Sequence, residues 1–350
     1  MNPTLTERDI YILRDLARFQ LLSTKQIAQT HFPDPQSKAA ANRMRRLKMF
    51  EFVTNVYAPL TSEETKVATR PASIWLFPPS CQKKVQSFLE NHHRASDWDT
   101  LSDEIATYNR EHKFSQQSLI HEVGISEVFL ALEAKLDSQK GYQLPFLIRT
   151  SPRHDDISCR VDVPRTHIKT DNRTGEQTKT QVTEEQTVNP DAFVCVGYPD
   201  QSYTFTFFEF DNGTSSDFTF VQKLEGYYVY LKQGRFAEVC KLFSERYNLG
   251  IRNPEKASFR VVTIVNSKTN AERRLYKLFA ASLRLPSTTV FNFATLADFQ
   301  TDPYGSIMVN KRVFEPLKSE YIESIRSAAP TVQRKWFDSK MPALTRESWL

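Results

Sequence analysis

Two apolar runs joined by a short turn constrain this chain most, because both place carboxylates at the same end. The first, Asp191-Ala-Phe-Val-Cys-Val-Gly-Tyr198, opens on an acid. The second, Tyr203-Thr-Phe-Thr-Phe-Phe-Glu-Phe-Asp211, closes on two, and Pro199-Asp200 between them supplies turn chemistry. The pattern predicts a β-hairpin. Strand side chains alternate, so Glu209 and Asp211 share a face, and the hairpin brings Asp191 alongside them. Three like charges within a few ångströms need raised pKa values or a cation between them. An all-oxygen cluster without a thiolate favours Mg²⁺ or Mn²⁺. Glu209 lies among phenylalanines, where a carboxylate without a partner is costly. A metal-dependent phosphodiester site is the functional expectation.

At 350 residues, the chain is long enough for two domains. A composition of 40% hydrophobic and 25% charged residues is ordinary for a globular protein. No apolar stretch approaches the ~20 residues that span a bilayer, and the N-terminus lacks the apolar core of a signal peptide, so a cytoplasmic protein is expected. Cys81, Cys159, Cys195 and Cys240 are far apart and form no CxxC ribbon. A net charge of +5 is compatible with a polyanionic partner but discriminates poorly.

Where the charge sits is more informative. Residues 4 to 19 place Ile10, Leu13, Leu16 and Ala17 at helical spacing behind a Thr4 or Thr6 cap. A second helix is predicted from Ser23 and a third from Ser37 to Phe50. The third is cationic, with Lys38, Asn42, Arg43, Arg45, Arg46 and Lys48 available for phosphates and base edges. Two short strands, Phe52–Tyr57 and Ala72–Phe77, would form a wing. The order predicts a winged helix-turn-helix over residues 1–110, including a linker. His92 and His93 stand beside each other without the His-hydrophobic-His pattern of tyrosine relaxases, and they read as surface residues.

Beyond residue 110, a helix from Ser118 to Leu136 leads to a strand at Leu144–Arg149. Residues 165 to 188 are polar and read as a mobile loop. After the carboxylate hairpin, a helix over Phe218–Gln233 puts Lys223 and Tyr227 on one face. Phe259–Val265 reads as a buried strand, followed by a helix over Asn270–Leu283 and a strand at Thr288–Phe293. This is an α/β (α+β) order in a domain spanning 111–300, with 301–350 as a C-terminal extension.

The ordered combination of Pro190-Asp191, Glu209-Phe-Asp211-Asn-Gly-Thr, Lys223-x-x-x-Tyr227 and the Arg260–Val265 strand resembles the replication-relaxation family and the related MobC-type conjugative relaxases. That resemblance implies a winged helix followed by a restriction-endonuclease-like, PD-(D/E)xK mixed-sheet domain that nicks plasmid DNA at an origin of transfer. It makes DNA the expected partner, with accessory mobilisation or coupling proteins. By the same resemblance, Pro190-Asp191 supplies the PD element and Glu209 and Asp211 the acidic pair. The nuclease motif usually ends Glu-x-Lys, and Asp211 occupies the lysine position. Lys223 is the candidate substitute and Glu127 a candidate further ligand, with His121 a weaker one. The competing expectations are a non-catalytic DNA-binding replication or transcription regulator on a decayed nuclease scaffold, and a restriction-type endonuclease.

Overall fold

The computed structural model describes residues 4–33, 37–58, 72–108, 116–150, 157, 159–170, 173–213, 216–266, 271–282, 285, 290–301, 303 and 308–309. The chain has a mixed α and β architecture and divides into two compact units, Met1–Leu130 and Ala131–Leu350.

The first unit begins with α1 (Glu7–Phe19), whose Thr6 and Asp9 form a reciprocal capping box. Its Ile12, Leu13, Leu16 and Phe19 are buried at helical spacing. A three-residue strand β1 (Leu21–Ser23) then runs straight into α2 (Thr24–His31), with Ser23 closing a second capping box with Gln26. After α3 (Ser37–Met49) come β2 (Thr54–Ala58) and β3 (Ala72–Leu76). These close an antiparallel sheet in the order β1-β3-β2. The third strand, β1, was not anticipated, because three residues are too few to show alternation. Two further helices follow, α4 (Pro79–Asn91) and α5 (Ala95–Tyr108). The long α6 (Gln116–Asp137) anchors its first half in this unit, where Leu119 packs with Leu21 and Ile74. Polar contacts fix it there: Gln26 Nε2 donates to the Val123 carbonyl at 3.0 Å, and Ser126 Oγ to the Leu21 carbonyl at 3.0 Å.

The second unit is built on a six-stranded mixed sheet. Its strands are β4 (Gln143–Arg149), β7 (Ala192–Gly197), β8 (Tyr203–Asp211), β9 (Phe259–Val265), β10 (Phe291–Thr295) and β11 (Met308–Val309). The order is β11-β10-β9-β8-β7-β4. Strands β4, β7 and β8 are antiparallel neighbours, whereas β8, β9 and β10 run parallel. Parallel neighbours require crossovers. These are α7 (Asp217–Lys232) and α8 (Phe236–Arg246) after β8, and α9 (Ala271–Ser282) after β9; α10 (Leu296–Thr301) follows β10. Phe146, Phe193, Phe205 and Phe207 on one sheet face meet Phe236 and Phe243 of α8, with ring centroids about 5–6 Å apart. This aromatic layer is the core beneath the candidate site.

Residues 165 to 188 correct an expectation. They belong to a two-stranded antiparallel ribbon, β5 (Cys159–Thr170) with β6 (Gln177–Val188), in unbroken register from Cys159↔Val188 to Thr170↔Gln177. Residues 177–181 are all exposed, so this part of the ribbon has no apolar alternation to betray a strand. Of the expected C-terminal extension over 301–350, all but residues 301, 303 and 308–309 lies outside the described residues.

Candidate active site

The hairpin forms as its sequence predicts. Pairing of Ala192 with Phe208 through Gly197 with Tyr203 sets the register, and Pro199-Asp200 turns the chain, with Tyr198 N–H donating to the Ser202 carbonyl at 2.9 Å. Asp191 stands where the ladder ends, next to Pro190, which has no N–H to give. There the carboxylate takes over from the backbone: Asp191 Oδ2 accepts from Phe210 N–H at 2.6 Å, while Asp191 N–H donates to the Phe208 carbonyl at 2.9 Å. The side chain is thereby held at the strand end, half-buried beside Glu209.

Glu209 is 4% exposed. Its two oxygens divide between two residues of α7, Oε2 accepting from Lys223 Nζ and Oε1 from the Tyr227 hydroxyl. One helical turn separates the two donors, so one face of α7 delivers both. Ser216 caps α7, its Oγ accepting from Thr219 N–H at 3.1 Å. Tyr227 also stacks on Phe207, two residues before Glu209 on the same strand face. Burial pushes the Glu209 carboxyl up to about 7; Asp191 adds to the rise, and Lys223 and Tyr227 oppose it. Burial acts to lower the Lys223 pKa, but Glu209, Asp191 and Asp211 outweigh it and hold the ammonium above the usual lysine range. Both groups are raised for compatible reasons: the lysine side chain, about a third exposed, faces three carboxylates, whereas the buried glutamate faces one cation. Lys223 also lines a cleft of about 450 Å³ between α7 and the ribbon, with Arg165, Asn189 and Gln222.

Asp211 has other partners. Its Oδ2 accepts from Arg274 Nε on α9 at 2.7 Å, and its Oδ1 from Gly213 N–H at 3.0 Å. Gly213 has φ +76°, a left-handed value that favours glycine, so Asp211 braces the turn that carries the chain from β8 to α7. The three-carboxylate cluster expected from alternation is therefore a pair with a lysine, plus a third acid engaged by arginine. Among the described residues, no group of three or more His, Cys, Asp or Glu side chains is arranged to hold a metal ion. Glu127 is half-buried on α6 in the first unit, and His121 lies one and a half turns before it. Sequence reading missed Arg274, because nothing in local spacing ties a residue of α9 to the end of β8.

On α3, Lys38, Asn42, Arg45, Arg46 and Lys48 are exposed. Arg43 is removed from that set. It donates through Nε to Asp9 Oδ1 at 2.6 Å, through Nη2 to Asp9 Oδ2, and to the Thr4 carbonyl at 2.8 Å. Asp9 is fully buried and demands a cation, so Arg43 fastens α3 to α1.

A family model described as replication-relaxation matches residues 13–245, which run from α1 to the end of α8. The chain belongs to the replication-relaxation family. The matched span contains α3, Asp191, Glu209, Asp211, Lys223 and Tyr227; Arg274 lies beyond it. Membership points to a role in plasmid replication or mobilisation and to DNA as a partner. Comparisons with curated proteins and with solved structures returned no match. Among the described residues, no helix is long and apolar enough to cross a membrane.

Proposed function

We propose that this protein nicks one strand of DNA at a plasmid origin of transfer, as a MobC-type relaxase whose second unit is a PD-(D/E)xK nuclease-like domain. The observation that carries this reading is Lys223 bonded to Glu209 beside Asp191. A lysine from the following helix thus reaches the acid that the motif would pair with a lysine two residues on. The first unit, in the element order of a winged helix, supports DNA binding through the exposed cations of α3.

Asp191 and Glu209 fit Mg²⁺ or Mn²⁺, since they offer only oxygen donors and repel each other, Asp191 adding to the rise that burial imposes on the Glu209 pKa. Asp211, the third expected ligand, is engaged by Arg274 as Glu209 is engaged by Lys223 and Tyr227, so either acid must exchange a partner to take the ion. Such an ion, when bound, neutralises phosphate charge and lowers the pKa of a water it holds. Lys223 remains an ammonium at neutral pH and cannot accept a proton. Its role is to stabilise negative charge growing on the phosphate as water attacks and the bond to the leaving sugar oxygen breaks. Tyr227 positions Glu209 by holding Oε1.

One feature favours a second reading. Asp211 stands where the motif lysine belongs and is used structurally, as it would be in a DNA-binding regulator on a nuclease scaffold that has lost catalysis. Supercoiled plasmid carrying its own origin, incubated with the protein and Mg²⁺ or Mn²⁺, separates the readings. Relaxed circles from wild type, with a loss of about 10²-fold or more in Asp191→Ala, Glu209→Ala and Lys223→Met, support the nickase. Linear product supports a restriction-type enzyme. Binding without cleavage leaves the regulator.

A further inference from the structure

The sheet register places four polar side chains in one row across the strands. Glu209 on β8 is paired with Thr263 on β9. On the other side, Asp191 is the next residue beyond the Ala192↔Phe208 pair, and Thr150 N–H donates to the Asp191 carbonyl at 3.1 Å, one step beyond Arg149↔Ala192. The face is also shared. Ile148 pairs with Phe193, whose ring lies 4.8 Å from that of Phe207, and Thr150 returns to this face two residues later. The row therefore reads Thr150, Asp191, Glu209, Thr263, with a hydroxyl on each flank of the carboxylate pair.

Both hydroxyls are anomalous. Thr150 Oγ1 and Thr263 Oγ1 are buried and find no hydrogen-bond partner among the described residues. A buried hydroxyl without a partner costs on the order of 1–3 kcal/mol. At Thr263 the neighbouring residues of β9 are Val261, Val262, Ile264 and Val265, so a valine of the same shape would satisfy the core without that cost. Thr206 Oγ1, on the opposite face, carries the same cost, so it is the placement of unspent hydroxyls on both flanks of one acidic pair that points to a ligand there.

We infer that Thr150 and Thr263 are positioning residues of the site, whose hydroxyls hydrogen-bond the hydrated divalent cation held by Asp191 and Glu209. This rests on the reading that the pair binds Mg²⁺ or Mn²⁺. A hydroxyl both donates and accepts, so it can hold a water of the ion's shell and keep the pair oriented. Thr206 supplies an internal control. It lies on β8, its hydroxyl is likewise buried without a partner among the described residues, and alternation puts it on the face opposite Glu209.

Thermal unfolding of the full chain, titrated with Mn²⁺ without DNA, tests the inference independently of cleavage. Without metal, Thr150→Val, Thr263→Val and Thr206→Val are each expected to unfold at the wild-type temperature or above it. With Mn²⁺, Thr150→Val and Thr263→Val need about tenfold more ion for the same stabilisation, Thr206→Val behaves as wild type, and Asp191→Asn loses the response. If Asp191→Asn loses the response while both flanking valine variants keep wild-type Mn²⁺ affinity, the inference falls and the carboxylate site stands. A wild type indifferent to Mn²⁺ overturns both. Valine variants that unfold earlier without metal also overturn it, because the hydroxyls would then have structural partners.

Discussion

At Glu209 two demands conflict: the strand buries the carboxyl in the aromatic layer, and the proposed chemistry needs it ionised. Because its pKa in the fold lies above its ordinary value of 4.5, its contribution to stability is complete below that value and is lost as pH rises through about 7. Glu209→Gln should therefore unfold at higher denaturant than wild type at pH 8, by on the order of 1–2 kcal/mol, and show no such advantage at pH 4. Urea titrations at the two pH values measure this. Cleavage at limiting Mn²⁺ should run the other way, rising with pH through about 7 as the ligand ionises. Asp9 shows the opposite sign. Burial alone would raise its pKa, but Arg43 and the Thr6 cap bring it below the ordinary value of 3.8. The stability it contributes is present above that value and is lost as pH falls through the folded pKa. Asp9→Asn should cost about 3 kcal/mol at pH 7, since it leaves Arg43 without its anion, and the cost should shrink in acid.

Among elements, the β5–β6 ribbon shows why part of this fold could be read from sequence and part could not. The β7–β8 hairpin declares itself because one face is buried, giving alternation and a turn at Pro199-Asp200. The capped helices α1 and α2 declare themselves through Thr6 and Ser23. The ribbon is exposed over 177–181, and where β6 does alternate between exposed and half-buried positions beyond that, most of the half-buried ones carry polar residues, so the sequence shows little apolar alternation. Arg165 bonds Glu225 and Gln186, Gln186 Nε2 donates to the Gln222 carbonyl at 2.7 Å, and α7 admits the strand only because residue 226 is glycine. A Cβ there would lie 2.1 Å from Val188 Cγ2. Gly226→Ala should force the ribbon and α7 apart at a cost of about 1–3 kcal/mol, outweighing the helix propensity that alanine adds. Because Gly226 lies between Lys223 and Tyr227 on α7, the same change should slow plasmid nicking. Comparing denaturant midpoints with nicking rates checks both effects. The placement of the candidate residues was legible for the same reason as the hairpin: Asp191 and Glu209 follow from the strand pattern, and Lys223 with Tyr227 from helical spacing. The Asp211–Arg274 pair joins residues 63 apart in sequence, so its claim on Asp211 emerges only once α9 folds back over β8.

For the whole molecule, the division into two compact units lets the proposed DNA binding and the proposed chemistry be tested separately. The exposed cations of α3 belong to the first, and the Asp191–Glu209–Lys223 constellation to the second. Arg45 and Arg46 are exposed, and Arg43, which fastens α3 to α1, is a different residue with a different task. If α3 contacts phosphates, Arg45→Ala with Arg46→Ala removes two charges without disturbing the Asp9 anchor. The slope of log affinity against log salt should then flatten by about 2, and the effect should be similar on all duplex sequences. Arg43→Ala should instead lower the unfolding midpoint, with DNA affinity falling only as the fold is lost. Fluorescence anisotropy on labelled duplex across a salt series, alongside thermal melts, distinguishes the two classes. Should the double variant bind DNA with an unchanged salt slope, α3 is a solvated helix and the first unit contacts DNA elsewhere or not at all. Nicking by that variant at low salt and high protein concentration should approach the wild-type rate, because the second unit is untouched and only occupancy of the DNA has been reduced.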